Sequence, residues 1–272
     1  MSYCAPNVDV YENWTCFERR ELQEIAMAFN IYIQTNRVCQ RKSCAPGGLI
    51  DINNKSKQDL WKSIYRRLSK ICKDEYCWSE QSFINAIPDA QLREKIKFFT
   101  FKPRMTRSRR SWLSTSDINA VMQQYQEMDK SFKFLGALPC DFYTQVKVRY
   151  TDIHKYKRIG IIFNLDTHDQ PGSHWTAFLI DNVTHTLEYF DSAAKHPNKH
   201  IQLFIEKLQR YVPGYTYLEN KKQHQRQNNE CGVYAIYFLV QRLLGNNFNT
   251  ISNNIVPDRQ MNLFRDVIFR PR

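Results

Sequence analysis

The hydrophobic pattern is clearest in the second half of the chain, where short apolar runs are bounded by turn residues and predict buried β-strands. These runs cover residues 159–165, 176–180, 186–190 and 215–218. Helical patterns occupy residues 199–211 and a segment that follows Trp112 and ends near Met128. The longest apolar pattern begins at Cys231 and ends near Leu244, which predicts a buried helix. Together these elements predict an α+β fold with a short central mixed sheet flanked by helices.

The first hundred residues carry helical rather than strand patterns. Apolar residues recur at helical spacing over 22–29, and a segment resembling a capping box at 56–59 precedes a second apolar helix. The stretch 101–111 is basic and lacks apolar periodicity, which is typical of a linker or an exposed arm. We therefore predict a mainly helical N-terminal domain over residues 1–105 and the α+β domain over residues 106–272.

Composition narrows the class of protein. Hydrophobic residues make up 42% of the 272 positions, which is ample for a packed core. No apolar run approaches the roughly 20 residues that span a bilayer, so we expect no membrane partner. The net charge of +12 attracts nucleic acid, acidic proteins or anionic surfaces, and it also favours solubility. One basic segment, 102–110, is a candidate DNA contact, and its cationic residues are Lys102, Arg104, Arg107, Arg109 and Arg110.

Eight cysteines are too dilute in a chain of 272 residues to suggest a disulfide framework. We therefore expect free thiols in a reducing, intracellular setting. Two pairs share one spacing, Cys39 with Cys44 and Cys72 with Cys77, and this leaves a four-thiolate zinc site open as an alternative to free structural thiols. No motif gives a reason to expect a cofactor, and the default expectation for metal is none.

Cys231 stands where the long buried helix is predicted to begin. A helix N-terminus offers unpaired N–H groups and the positive end of the macrodipole, and both favour the nucleophilic thiolate. His174 directly precedes one predicted strand, and Asp191 directly follows the next. An antiparallel pair of these strands would bring the imidazole and the carboxylate together at one sheet edge. This spacing predicts a cysteine protease in which Cys231 attacks, His174 transfers protons and Asp191 orients the imidazole.

Gln225 lies six residues before Cys231, and its side-chain amide would form the oxyanion hole together with the Cys231 N–H. Each residue also has a structural explanation: a buried packing cysteine, a structural histidine, or an acid that caps a turn. Because all four residues occupy site-forming positions together, catalysis is the favoured interpretation. The remaining histidines lack such a context, and we expect His154, His168, His185, His196, His200 and His224 at the surface.

The motifs around these residues carry a family resemblance. Gly172-Ser-His-Trp, Tyr189-Phe-Asp-Ser-Ala and His224-Gln-Arg with Cys231-Gly resemble the boxes of adenovirus-type proteases and of proteases that cleave ubiquitin-like modifiers. Within that clan the chain is most similar, over residues 111–272, to the polyprotein-processing cysteine proteases of large nucleocytoplasmic DNA viruses. The resemblance implies the roles given above for Cys231 and its partners.

The same resemblance implies a substrate and a setting. It implies cleavage of viral structural polyprotein precursors after Gly-Gly or Gly-Xaa sites during virion maturation, in the virion and the host cytoplasm, where viral factories form. Glycine at both subsites fits a groove narrowed by large side chains, and Trp175 and Trp112 are the candidates for its walls, with ordinary core packing as the alternative.

Three rival functions stay open. The first is an isopeptidase that removes a ubiquitin-like modifier of the SUMO type with the same catalytic residues. The second is a non-enzymatic basic protein that binds DNA or a capsid. The third and most remote is an acetyltransferase with a related site. The sequence does not separate the first of these from a maturation protease.

Overall fold

The computed structural model describes residues 3–6, 14–35, 48–53, 55–69, 71–108, 110–146 and 149–270. The chain divides into two compact units, Met1–Lys102 and Pro103–Arg272, close to the boundary predicted at residue 105. Within the described ranges, no helix combines the length and the apolar composition needed to cross a bilayer. Cys39, Cys44 and Arg109, three residues of the sequence predictions, lie outside the described residues.

The first unit is built from short helices, as the sequence predicted. Its elements are α1 (Arg19–Thr35), α2 (Lys57–Leu68), α3 (Glu75–Ser79), a 3₁₀ turn (Ser82–Ala86), α4 (Ala90–Glu94) and a π turn (Lys95–Phe99). Ser56 is the N-cap of α2, where its side chain accepts a hydrogen bond from the Asp59 N–H at 3.1 Å. The apolar faces of the helices close over a core that includes Phe29, Ile64 and Trp78.

Four cysteines of this unit form disulfides, and the expectation of free thiols is wrong for them. Cys4 is bonded to Cys16, and Cys72 to Cys77, with Cα atoms 5.4 and 5.3 Å apart. Both separations lie within the range that a disulfide requires. The four-thiolate zinc alternative loses Cys72 and Cys77 in this way, because a disulfide sulfur does not offer the thiolate that zinc binds. The sequence spacing did not reveal that the residues of each pair meet in space.

A buried carboxylate holds the N-terminal segment of this unit against α2. Glu75 accepts hydrogen bonds from the Thr15 hydroxyl at 2.5 Å, the Cys16 N–H at 3.0 Å and the Trp61 indole N–H at 2.5 Å. Burial raises the pKa of Glu75, and these hydrogen bonds act in the opposite direction. Glu75 thus connects three separate segments of the first unit.

The second unit has a five-stranded sheet with helices on both faces. Its elements are α5 (Thr115–Met128), β1 (Phe132–Pro139), α6 (Phe142–Gln145), a 3₁₀ turn (Tyr150–Lys155), β2 (Arg158–Asn164), β3 (Trp175–Asp181), β4 (Thr186–Phe190), α7 (Lys199–Tyr211), β5 (Thr216–Glu219), α8 (Cys231–Leu243), α9 (Phe248–Asn253) and α10 (Asp258–Ile268). The strand order is β1-β2-β3-β4-β5. The outer pairs are parallel and the inner pairs antiparallel, so the sheet is mixed, as predicted.

Helix α8 is the centre of one face of the sheet. It is buried along almost its whole length and packs on β3, together with α5 and residues of α10. The opposite face carries a second apolar cluster that includes Phe163, Phe178 and Phe204. Because β3 is covered on both faces, every one of its residues is buried, which explains its continuous apolar run.

The C-terminal end of α8 is tied to the sheet by buried charges. Arg242 donates from Nε to Glu188 Oε2 at 2.7 Å and from Nη2 to Asp181 Oδ2 at 2.7 Å. Arg158 donates from Nε to the same Asp181 oxygen at 2.9 Å. Arg242 is 3% exposed, so its pairing with two carboxylates is what makes its burial tolerable.

Strand β1 lies at one edge of the sheet and was not predicted. Its outer N–H groups are bonded to side-chain amides of α5: Ala137 N–H donates to Asn119 Oδ1 at 2.8 Å, and Phe134 N–H donates to Gln126 Oε1 at 3.0 Å. Gly136 lies at a register shift in the pairing of β1 with β2, and it adopts a φ of 136°. Helices α9 and α10 were likewise not predicted.

Candidate active site

His174 and Asp191 meet at one edge of the sheet. His174 directly precedes β3, Asp191 directly follows β4, and these strands are antiparallel. His174 Nε2 lies 2.7 Å from Asp191 Oδ1. The Asp191 side chain is fully buried, and the Ala193 N–H donates to the same oxygen at 2.8 Å. The carboxylate is therefore held in place while it contacts the imidazole.

Cys231 is the first residue of α8, as predicted, and it is 2% exposed. Since Nε2 of His174 is engaged by Asp191, Nδ1 is the ring nitrogen available to the thiol. Burial lowers the pKa of His174, but hydrogen bonds and charge interactions with Asp191 and Cys231 outweigh it and raise that pKa to about 9. An imidazolium that keeps its proton at neutral pH is the form that pairs with a thiolate.

Gln225 contacts Ser192, the residue after Asp191, and is 7% exposed. Its Oε1 accepts from the Ser192 hydroxyl at 2.7 Å, and its Nε2 donates to the Gln227 carbonyl at 2.5 Å. An amide nitrogen carries two hydrogens, so Nε2 retains a second donor. That donor and the Cys231 N–H at the start of the helix are groups of the type that form oxyanion holes.

The loop before Cys231 is fixed by α10, which sequence reasoning did not detect. Asp258 accepts from the N–H groups of Arg226 at 2.9 Å and Gln227 at 3.0 Å, and it also accepts from the Tyr234 hydroxyl of α8 at 3.1 Å. Arg265, buried in the core, donates to the Asn229 carbonyl at 2.6 Å. The loop over residues 226–229 is therefore held at several points by α10.

The two predicted wall residues, Trp112 and Trp175, take different positions. Trp175 is 7% exposed, and its indole N–H donates to the Leu113 carbonyl at 3.0 Å. Trp112 is 39% exposed and donates to Asn229 Oδ1 at 2.9 Å, two residues before Cys231. Gly232 allows the close packing here, because a Cβ at this position would lie 3.2 Å from Trp175 Cδ1. Trp112 thus offers surface beside the site, whereas Trp175 is mostly core.

One histidine departs from the prediction. His224 is 1% exposed, so its expected place at the surface is wrong. Its Nδ1 is 3.4 Å from the donating Val256 N–H, and its Nε2 lies 3.2 Å from the Ser252 carbonyl, which fits a neutral ring protonated at Nε2. Burial lowers the pKa of His224. The ring packs edge-on against Phe190, the last residue of β4.

No group of three or more metal-ligating side chains occurs in the part of the chain that the structure describes. What the described residues do offer is a buried acid, an imidazole of raised pKa, a thiol at a helix start and a side-chain amide. This set can perform nucleophilic acyl transfer.

Comparison with known proteins agrees with this chemistry. The profile of the Ulp1 protease family, C-terminal catalytic domain, matches residues 104–269. The chain belongs to the Ulp1 protease family. A protein of Acanthamoeba polyphaga mimivirus that is named as a thiol protease is 35% identical over 284 aligned positions, which cover 99% of this chain and 94% of the relative.

Two further comparisons extend the likeness. An African swine fever virus protein named SUMO-1 cysteine protease is 25% identical over 150 residues, or 51% of this chain and 55% of the relative. A crystal structure of the African swine fever virus pS273R protease superposes with a TM-score of 0.65 at 16% identity, covering 100% of this chain and 98% of that one. At this identity the structural match shows the shared fold.

These findings decide several predictions. The resemblance to cysteine proteases of large DNA viruses and of the Ulp1 type is confirmed, and so is the α+β protease fold. This Ulp1-family chain is a cysteine protease, and the non-enzymatic alternative is therefore wrong.

Sequence reasoning missed several residues that position the site. Asn220, which contacts Asp191, follows β5 just as Asp191 follows β4. Because β4 and β5 are parallel, their carboxyl ends meet at one edge, and a polar residue directly after each strand was the available signal. Asp258 and Arg265 gave no comparable signal.

Proposed function

We propose that this Ulp1-family protease is an endopeptidase that cleaves viral structural polyprotein precursors after Gly-Gly or Gly-Xaa sites during virion maturation. Its nucleophile is Cys231, with His174 as the proton-transfer group, Asp191 as the orienting acid and Gln225 as an oxyanion donor. The observation that carries these roles is the His174 ring, bonded on one side to Asp191 at 2.7 Å and interacting on the other with Cys231.

The reaction follows from this arrangement. The Cys231 sulfur attacks the scissile carbonyl carbon, and the oxyanion accepts hydrogen bonds from the Cys231 N–H and Gln225 Nε2. When the C–N bond breaks, the proton on His174 Nδ1 passes to the leaving amine, and a thioester remains. His174 then takes a proton from water, the resulting hydroxide attacks the thioester, and the C–S bond breaks to restore the thiolate. The carboxylic acid product loses its proton to solvent as it leaves. Asp191 accepts from Nε2–H throughout.

The preference for glycine is supported by the surroundings of the nucleophile. Trp112 stands exposed beside the loop that carries Cys231, and Trp175 packs against Gly232 at the start of α8. Bulky rings beside Asn229 and Gly232, which flank Cys231 in the chain, would favour a substrate segment without side chains. We propose that Trp112 contacts the two residues before the scissile bond.

The viral substrate is supported by the mimivirus relative, whose match covers 99% of this chain and so includes the first unit. A role in the virion and the host cytoplasm follows as part of the same proposal. The second candidate function is removal of a SUMO-type modifier, and it is favoured by the name of the African swine fever virus relative. The partner would then be a folded ubiquitin-like protein rather than an extended precursor.

A direct comparison of substrates separates these functions. Wild-type protein is incubated with peptides that contain Gly-Gly-Xaa, with the same peptides bearing Ala-Ala, and with a SUMO fusion. Cleavage of the Gly-Gly peptides with little cleavage of the fusion is the expected result. A fusion that is cleaved at least ~100-fold more efficiently than the peptides would replace the maturation protease by the deconjugase.

Variants test the individual roles. Cys231→Ala and His174→Ala should abolish cleavage, and Gln225→Ala should lower kcat by about 10²–10³, the loss seen when one oxyanion donor is removed. Cys140→Ala is the matched control, since Cys140 is the other free cysteine of the described residues, and burial raises the pKa of its thiol. Trp112→Ala should lower kcat/KM on Gly-Gly peptides. Full activity in His174→Ala would remove that residue from the mechanism.

DNA contact through the basic segment 102–110 is a separate proposal, motivated by charge. Phosphate contacts weaken steeply with salt, so binding of the full chain to duplex DNA should fall as salt is raised. Absence of binding at low salt would remove this proposal without affecting the protease.

A further inference from the structure

Asp191 is held by a buried asparagine that the reaction itself does not use. Asn220, 2% exposed, directly follows β5. Its Oδ1 accepts from the Asp191 N–H at 2.8 Å, and its Nδ2 donates to the Asp191 carbonyl at 2.8 Å and to the Lys222 carbonyl at 3.1 Å. One side chain therefore satisfies both backbone groups of the orienting acid.

The position of Asn220 explains why a side chain is needed there. The ladder between β4 and β5 ends at the pairing of Tyr189 with Glu219, so the backbone of Asp191 lies beyond the last paired residue. The carboxamide of Asn220 has the same donor and acceptor as a peptide unit, and it continues the ladder past its end. The Asp191 side chain that bonds His174 at 2.7 Å thus projects from a fixed backbone.

A second set of hydrogen bonds joins Ser192, the residue after Asp191, to Gln225, the proposed oxyanion donor. The Ser192 carbonyl accepts from the N–H groups of His224 at 2.8 Å and Gln225 at 3.0 Å. Ser192 is 1% exposed, and its hydroxyl donates to Gln225 Oε1 at 2.7 Å. With its oxygen bound to Ser192, the Gln225 carboxamide directs its nitrogen to the Gln227 carbonyl, and the second hydrogen of that nitrogen is the donor proposed above for the oxyanion.

We propose that Asn220 and Ser192 are positioning residues: Asn220 holds Asp191 in register with His174, and Ser192 sets the orientation of the Gln225 amide. This proposal rests on the roles proposed above for Asp191 and Gln225. The two residues act on different parts of the reaction, so their loss has different signatures. Asn220 acts through the imidazole, and Ser192 acts through the oxyanion.

The first experiment removes the asparagine. Asn220→Ala should lower kcat/KM on a Gly-Gly peptide by about 10–100-fold, the size of loss seen when the hydrogen-bond partner of a metal-binding side chain is removed. It should also move the alkaline limb of the pH–rate profile to lower pH, because a weaker bond to Asp191 holds the His174 proton less tightly. In an Asp191→Ala background the same substitution should have little further effect.

Asn182→Ala is the matched control for this experiment. Asn182 also makes three side-chain hydrogen bonds, to the Ile153 and Tyr156 carbonyls and from the Tyr215 hydroxyl, at the opposite end of the β3–β4 hairpin. Its loss should lower stability without shifting the pH–rate profile. An equal shift in Asn182→Ala and Asn220→Ala, or no shift in either, would overturn the role of Asn220.

A further measurement covers the case in which Asn220→Ala does not fold. In wild-type protein, the Asp191 N–H and the Asn220 side-chain amide should both be protected from hydrogen exchange, as observed by NMR. Rapid exchange of both groups would overturn the proposal for Asn220 without any variant.

The second experiment addresses Ser192. Ser192→Ala removes one oxygen atom and should lower kcat up to about 10-fold, which is less than the 10²–10³ expected for loss of the donor itself. KM and the pH–rate profile should stay unchanged, and in a Gln225→Ala background the substitution should add nothing. Full additivity with Gln225→Ala would overturn the role of Ser192.

These outcomes are distinct from a failure of the proposed function. If Asp191→Ala and Gln225→Ala themselves leave turnover unchanged, the proposed site is at fault. If both impair turnover while the Asn220→Ala and Ser192→Ala effects add to them in full, the site stands and the positioning proposal falls.

Discussion

Arg242 provides a quantitative test of how α8 is held to the sheet. Replacement by Met removes two hydrogen bonds to Glu188, at 2.7 and 2.9 Å, one to Asp181 at 2.7 Å and one to the Asn246 carbonyl at 2.6 Å. Asp181 keeps Arg158 and the N–H groups of Val183 and Thr184. The loss of stability therefore comes mainly from Glu188, which is 1% exposed and keeps only the hydrogen bond from the Thr186 hydroxyl of its own strand among its side-chain hydrogen bonds in the described residues.

A buried ion pair that loses one partner leaves an uncompensated charge, and this costs about 3–5 kcal/mol. We expect Arg242→Met to lower the free energy of unfolding of the second unit by this amount. Replacing Glu188 by Met as well removes the orphaned charge, so the double variant should come within about 2 kcal/mol of wild type. Arg158→Met, in which Asp181 keeps Arg242, should cost about 1 kcal/mol.

The assay is hydrogen exchange of peptides from α8 as a function of urea, which reports the second unit separately from the first. Catalysis should be unaffected below the unfolding transition, because Arg242 lies three turns from Cys231 on a rigid helix. A cost below about 1 kcal/mol for Arg242→Met, or a double variant as unstable as the sum of its singles, would refute the reasoning.

Three further predictions follow from the described contacts. The pKa of His174 is raised to about 9, so the imidazole keeps its proton through neutral pH and loses it as pH rises through that value. We therefore expect kcat/KM to fall near pH 9, and Asp191→Asn should move this alkaline limb to lower pH. An unmoved limb would contradict the role of the contact between Asp191 and His174. Glu75→Ala leaves three donors without their acceptor and should lower the free energy of unfolding of the first unit by about 2–3 kcal/mol, as measured by urea titration. An unchanged unfolding midpoint would show that the donors find other partners. Peptide mapping without reductant should recover Cys4 linked to Cys16, and reduction should lower the melting temperature of the first unit; free thiols at both positions would count against the disulfide.

The local part of the fold could be predicted from the sequence. The apolar runs of β2, β3 and β4 and the long pattern of α8 carry their own signal, because these elements are buried on both faces or on all sides. Strand β1 mixes buried and exposed positions and contains Gly136 and Pro139, so it lacks both an unbroken apolar run and strict alternation. Its hydrogen bonds to α5 side chains depend on tertiary contact, which no local pattern contains.

The same distinction applies to the site. His174, Asp191 and Cys231 each stand at the end or start of an element, so the positions of strands and a helix were enough to bring them together. Asn220 lies 29 residues from Asp191 along the chain, and Arg265 lies 36 residues from Asn229. Contacts over such separations follow from how helices and strands pack. The disulfide partners are only 12 and 5 residues apart, and they were missed because a dilute cysteine content predicts free thiols.

The side-chain amides on the outer edge of β1 have a consequence for how the protein behaves at high local concentration. An exposed strand edge is a template for pairing with a strand from another molecule. Asn119 and Gln126 already occupy the N–H groups of Ala137 and Phe134 that such a strand would need. Intermolecular sheet extension is therefore blocked on this side, which favours dispersed molecules over edge-to-edge aggregates even when many copies are crowded together.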